Sequence, residues 1–143
     1  MKKIAASLIL VIIVMLIVSC KTTKEVPDEA FKSTYDRYYD DIIIEGAKRY
    51  TVKKGDTLTS ISNAFYGNGY YFPLIMLASR NVVLDHDKIL PGMTLIIPNL
   101  QINLDDPKAK ESVKGVITDS AAIEDSRGRR DTAAGLRNHA NSL

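Results

Sequence analysis

One thiol, two imidazoles and a few paired carboxylates are the side chains here best suited to covalent or proton-transfer chemistry. The thiol is Cys20, the only cysteine among 143 residues, so no disulfide can form within the chain. His86 and His139 lie in different regions, and neither an H-E-x-x-H sequence nor a paired-cysteine spacing accompanies them. Asp40-Asp41 and Asp105-Asp106 are adjacent pairs. Neighbours in a helix or at its cap point apart, so neither pair makes an acid/base couple. A nucleophile elbow, a phosphate loop and a dinucleotide fingerprint are also missing from the sequence. The expectation is no catalytic residue, no metal and no cofactor. What remains is binding.

The segment that carries the thiol is distinctive. Lys2 and Lys3 precede an apolar run from Leu8 to Val18, which ends in Ile17-Val18-Ser19-Cys20. A run of about eleven apolar residues is short for a membrane span, and its charged flank suits a secretory leader. Aliphatic, small or β-branched, small, then Cys resembles the bacterial lipobox, in which the chain is cut just before a diacylglyceryl-modified cysteine. That resemblance implies a leader over 1–19, a lipidated Cys20 as the new N-terminus and attachment to a membrane. The multiple acyl chains it implies meet the two-signal requirement for stable anchoring. Lys21 follows, where enteric lipoproteins retained at the inner membrane carry Asp, which points to the outer membrane, facing the periplasm. Removing the leader leaves about 120 residues, enough for one small domain with added structure. It also removes two of the 19 basic side chains, bringing them level with the 17 acidic ones. A neutral chain lacks the basic footprint of nucleic-acid binding, so no nucleic-acid partner is expected.

These groups need elements to position them. Residues 20–27 are mostly polar, with Pro27 at the end, and suit a tether. Over 28–48, Phe31, Tyr35, Tyr38, Tyr39, Ile42 and Ile43 recur at helical spacing, with Gly46 as a stop. An aromatic stripe of this kind suits either a buried core face or a sugar-stacking platform, and core is the expectation. Tyr50 to Leu58 reads as a strand, a turn at Gly55 and a helix start capped by Asp56 or Thr57. Leu58, Ile61, Ser62 and Phe65 form one helical face before Gly67-Asn68-Gly69 breaks it. The next helix, around Phe72 to Ser79, is so apolar that it must be buried on most sides. After a loop over 81–92, Thr94 to Ile97 reads as a strand stopped by Pro98.

This strand–helix–helix–strand stretch, 49–99, resembles a LysM (lysin motif) domain. The matching residues are Tyr50-x-Val52, Gly55-Asp56-Thr57-Leu58, Ile61, Tyr66-Gly67, Phe72-Pro73, Ile75, Ile89, Pro91-Gly92, Leu95 and Ile97-Pro98. The resemblance implies a βααβ fold and non-catalytic binding of glycans containing N-acetylglucosamine, chiefly peptidoglycan. Family sugar contacts map onto Gly55, Asp56, Thr57 and Leu58 in the first turn and onto Arg80, Asn81, Val82 and Val83 in the second. The sequence departs from the family pattern at Ser79, where many relatives have Asn, and at His86, where proline is frequent. For Asp56 and Thr57, helix capping stands beside ligand contact as an alternative role.

The tail, 100–143, carries a further pattern. Asp105-Asp106-Pro107 marks a helix start, followed by Ala109, Val113, Val116, Ile117 and Ala121 at helical spacing. Ala133, Leu136, Ala140 and Leu143 outline a second, weaker helix. Gly115 and Gly135 each cost about 1 kcal/mol within such helices. Arg127, Arg129 and Arg130, beside Glu124, Asp125 and Asp131, read as a solvated turn. The two flanks are expected to pack on each other or on the middle unit, because neither apolar face can stay exposed.

The expected fold class is α+β: a βααβ LysM domain flanked by an N-terminal amphipathic helix and a C-terminal helical pair. The expected function is a lipoprotein that tethers membrane to wall by holding peptidoglycan. The alternative is a membrane-anchored adaptor for an envelope protein partner, or a regulator of a wall hydrolase, using the same fold as scaffold.

Overall fold

The computed structural model describes residues 28–143. The leader, the lipobox at Cys20 and the tether lie outside those residues. Helix α1 spans Asp28–Tyr38 and runs into a 3-10 turn, Tyr39–Asp41. Strand β1, Lys48–Thr51, is followed by helix α2, Leu58–Tyr66. A 3-10 turn at Gly69–Tyr71 then leads into helix α3, Phe72–Ala78. Strand β2 is Thr94–Ile97, and the chain closes with α4 (Leu100–Asp105), α5 (Pro107–Ser126) and α6 (Arg130–Ser142). The mixed α+β class and the βααβ order are those expected.

β1 and β2 pair antiparallel, from Lys48 opposite Ile97 to Thr51 opposite Thr94. Period-2 alternation turns Leu95 and Ile97 inward, where both are buried. All seven residues of α3 are buried as well, as its apolar composition requires. Helix α3 can be apolar all round because the sheet, α2 and α5 each cover part of it. Helix α5 in turn packs against α1, α4 and α6. Phe31, Tyr35 and Ile42 join Val113, Val116 and Ile117 in one core cluster with the βααβ unit. The aromatic stripe of α1 is therefore core, and the two flanks pack together. No described helix is long and apolar enough to cross a membrane.

Three expectations need correction. The first helix stops at Tyr38 rather than near Gly46, and Ile42 is already extended. Long-range bonds hold the chain there. Asp41 accepts from Lys108 at 2.8 Å and from Ser112 Oγ at 3.2 Å. Next to it, the buried Asn103 amide bonds both the Ile43 N–H and its carbonyl at 2.8 Å, replacing a helical partner. Helix α4 went unpredicted, although Asn99 caps it by accepting from the Ile102 amide. Phe65 does not point inward with Leu58 and Ile61; it is 38% exposed and meets Tyr50 edge-on at 5.5 Å.

The tail glycines also have a different role from the one propensity assigns. A Cβ on Gly115 would come within 2.5 Å of the Tyr38 ring, and one on Gly135 would meet the Tyr70 ring closer still. These positions let α5 and α6 accept tyrosines at their backbones.

Candidate functional site

A groove of about 300 Å³ opens at the end of the sheet where β1 turns into α2. Asp56, Thr57, Leu58 and Thr59 form one wall, and His86, Asp87 and Ile89 line the other.

The first wall is built by its own short-range chemistry. Gly55 takes φ +90°, which closes the turn after Lys53 and Lys54. Asp56 Oδ2 accepts from the Lys53 amide at 2.8 Å and from the Tyr50 hydroxyl at 2.7 Å. Those two bonds, the backbone one foremost, hold the Asp56 carboxyl below the usual carboxylate range. Thr57, not Asp56, caps α2. Its Oγ1 accepts from the Ser60 amide and Ser60 Oγ accepts from the Thr57 amide, both at 3.0 Å, a reciprocal capping box. Leu58 is buried and contributes apolar floor.

The second wall is held from behind by the tail. Asp85 and Arg127 face each other at 3.2 Å, and the Arg127 guanidinium also covers the Phe31 ring at 4.7 Å. Burial raises the Asp85 carboxyl, but the Asp87 amide, Arg127 and Lys88 outweigh it, and the net shift is downward. His86 packs on Phe72 at 5.1 Å, with Nδ1 3.2 Å from Glu124 Oε1 and Nε2 3.0 Å from Asp87 Oδ1. Glu124 is 0% exposed. Arg129 Nη1 reaches Asp87 Oδ2 at 2.7 Å and Glu124 Oε2 at 3.1 Å. The solvated turn expected at Arg127–Arg130 is thus corrected for its first two arginines. Their charges are drawn inward by Asp85, Asp87 and Glu124.

Of the eight residues expected to meet a glycan, Asp56, Thr57 and Leu58 line this groove and Gly55 shapes its turn. The second segment lies elsewhere. Arg80 pairs with Asp36 at 2.9 Å and stacks over Tyr39 at 3.6 Å. With Asn81, it lines a separate depression of about 280 Å³ shared with Lys32, Tyr35, Asp36 and Leu84. Val83 is buried and Val82 is exposed. The reason is the fixed end of α3: Ser79 Oγ accepts from the Ile96 amide at 2.8 Å, and the Ser79 carbonyl takes the Val82 and Val83 amides. The loop therefore reaches the groove from His86 onward, through His86, Asp87 and Ile89. The departure at that position was the one sequence signal available.

Asp85, His86 and Asp87 present ligand atoms within 4.8 Å of one another, the spacing a metal ion would need. Arg127 and Arg129 already place positive charge on both carboxylates, which disfavours a further cation. A third depression, of about 320 Å³, lies at the opposite end of the sheet and is lined by Lys48, Phe65, Tyr66 and Pro98 among others. Tyr66 there donates to the Pro98 carbonyl at 3.0 Å.

Comparison with known proteins agrees with the βααβ fold. Over 49 residues the chain is 47% identical to the potassium binding protein Kbp of Escherichia coli O6:H1, covering 34% of this chain and 33% of that protein. The chain thus spans about a third of the length of that curated relative. No solved structure matches the chain. The LysM domain family matches residues 50–98, the stretch that folds as βααβ and forms both walls of the groove. Residues 50–98 are accordingly a LysM domain, a binding module and not a catalytic one.

Proposed function

We propose that this protein is a lipid-anchored envelope protein that holds peptidoglycan, or a related N-acetylglucosamine glycan, without catalysis. The observation that carries the reading is the groove between Asp56–Thr59 and His86–Ile89 within the LysM domain. An N-acetyl group offers one amide donor, one carbonyl acceptor and one methyl. A shallow cleft with a turn backbone on one side and Leu58 and Ile89 as apolar walls suits all three. With few contacts, each site is weak, and retention comes from many anchored copies facing one polymer. Cys20 supplies the membrane attachment, and the absence of Asp at position 21 favours the outer membrane, so that lipid at one end and glycan at the other tether two envelope layers.

An adaptor that docks a partner through the aromatic helix is less favoured, because Phe31 and Tyr35 are already buried in this chain's own core. The potassium in the relative's name is not carried over, since the shared stretch is a third of each protein and its acidic loop is engaged by arginines. The test is co-sedimentation of the full-length protein, in detergent, with purified peptidoglycan. Wild type should pellet with the wall. A Cys20→Ala chain should remain an unacylated precursor by intact mass, with its leader uncut, yet still pellet with peptidoglycan. A wild-type protein that stays in the supernatant would favour the adaptor or the hydrolase regulator.

A further inference from the structure

The groove's second wall is supported from outside the LysM domain. Its His86 and Asp87 lie 3.0 Å and 2.7 Å from one nitrogen, Arg129 Nη1, supplied by the turn between α5 and α6. The same nitrogen lies 3.1 Å from Glu124, a fully buried carboxylate. We propose that Arg129 is a positioning residue for the glycan groove, so that the helical tail sets the affinity of the LysM domain. The inference rests on the glycan reading of that groove.

The physical argument is one of shared charge. Asp87 and Glu124 lie on either side of the His86 ring and share Arg129 as a common cation. A buried carboxylate that loses its counter-charge is strongly destabilised. Without Arg129, Glu124 loses the guanidinium at 3.1 Å, and Asp87, 56% exposed at its side chain, can turn to water. His86 would then be drawn toward Glu124 and away from the groove. Within the loop the Asp87 and Lys88 amides bond back to Asp85, and the tail adds the contacts of Arg129 to His86 and Asp87 beyond it. Arg129 itself is well anchored: its amide donates to the Glu124 carbonyl at 2.9 Å, and Gly128 at φ +80° makes the bend that allows it. The opposite wall is held separately, by bonds among Tyr50, Lys53, Asp56, Thr57 and Ser60.

The experiment uses the full-length protein in detergent micelles, with chitotetraose titrated by calorimetry and amide exchange followed by mass spectrometry. Arg129→Gln should weaken binding at least fivefold under conditions where circular dichroism shows the variant folded. Exchange should quicken over His86–Ile89 and stay unchanged over Thr57–Thr59. Arg129→Lys should restore both, since a single nitrogen faces Asp87 and Glu124, and an ammonium keeps that charge and supplies a donor to each. Asp87→Asn, on the solvent side of the same cluster, should loosen the same amides if Arg129→Gln does not fold. Wild-type affinity and exchange in Arg129→Gln would overturn the proposal, as would a loss that lysine does not repair. If wild type itself binds no chitotetraose, the glycan reading fails. The exchange over His86–Ile89 then decides by itself whether Arg129 positions the wall.

Discussion

Arg127 and Asp85 face each other across the junction of the LysM domain and the tail, 3.2 Å apart, with side chains only 9% and 8% exposed. Neither lies in the groove, yet the pair fixes where the loop that forms the groove begins. Removing one partner leaves the other buried and under-compensated, which costs about 3–5 kcal/mol. Asp85→Ala should therefore lower the melting temperature by roughly 10 °C, read by circular dichroism. A change within a degree or two would show that solvent reaches this pair.

Gly115 and Gly135 should resist the stabilisation that alanine gives in most helices. In wild type, Gly115→Ala should bring no gain, because the new methyl displaces the Tyr38 ring and breaks its 3.1 Å bond to Asp119. In a Tyr38→Ala background the same change should stabilise by about 1 kcal/mol, the ordinary helix preference. Equal effects in both backgrounds, measured by urea unfolding, would refute the close packing.

Thr57 separates folding from binding. Thr57→Ala removes the capping box and should cost about 1 kcal/mol, while Thr57→Ser keeps the accepting oxygen and should cost little. Glycan titration of the serine variant then reports on the lost methyl alone. If alanine and serine melt alike, the capping box contributes nothing to stability.

Stability should fall with mild acid through His139. Its ring packs edge-on against Tyr71 at 4.3 Å, and its buried Nε2 has no hydrogen-bond partner among the described residues. Burial holds its pKa below the ordinary 6.5. The folded state thus prefers neutral imidazole, while the unfolded chain takes a proton near pH 6.5. The contribution is complete above that pH and declines as pH falls, levelling off once the folded ring itself is protonated. His139→Phe should flatten urea-unfolding stability between about pH 7 and pH 5. The lowered carboxyls of Asp41, Asp56 and Asp85 act in the same direction but at more acid pH, below the carboxylate value of 3.8.

The LysM domain was legible from residues 50–98 because its determinants are local. The positive φ at Gly55, the cap at Thr57, the stop at Gly67 and the inward alternation of Leu95 and Ile97 each act across a few residues. The burial of α3, and the packing of two apolar flanks, followed from composition for the same reason: such surface has nowhere else to go. What only the tertiary structure decided depends on partners far apart in the chain. His86 and Arg129 are 43 residues apart, and nothing in the spacing of Arg127, Arg129 and Arg130 separates a solvated turn from an ion cluster. Arg80 and Asn81 read as a groove wall until Asp36 and Tyr39 arrive from another element and draw the arginine away. Gly115 and Gly135 read as soft helix positions until Tyr38 and Tyr70 occupy the space above them. Periodicity records which face a residue takes, while charge pairing and close approach require knowing what lies opposite, and that is fixed only when the core closes.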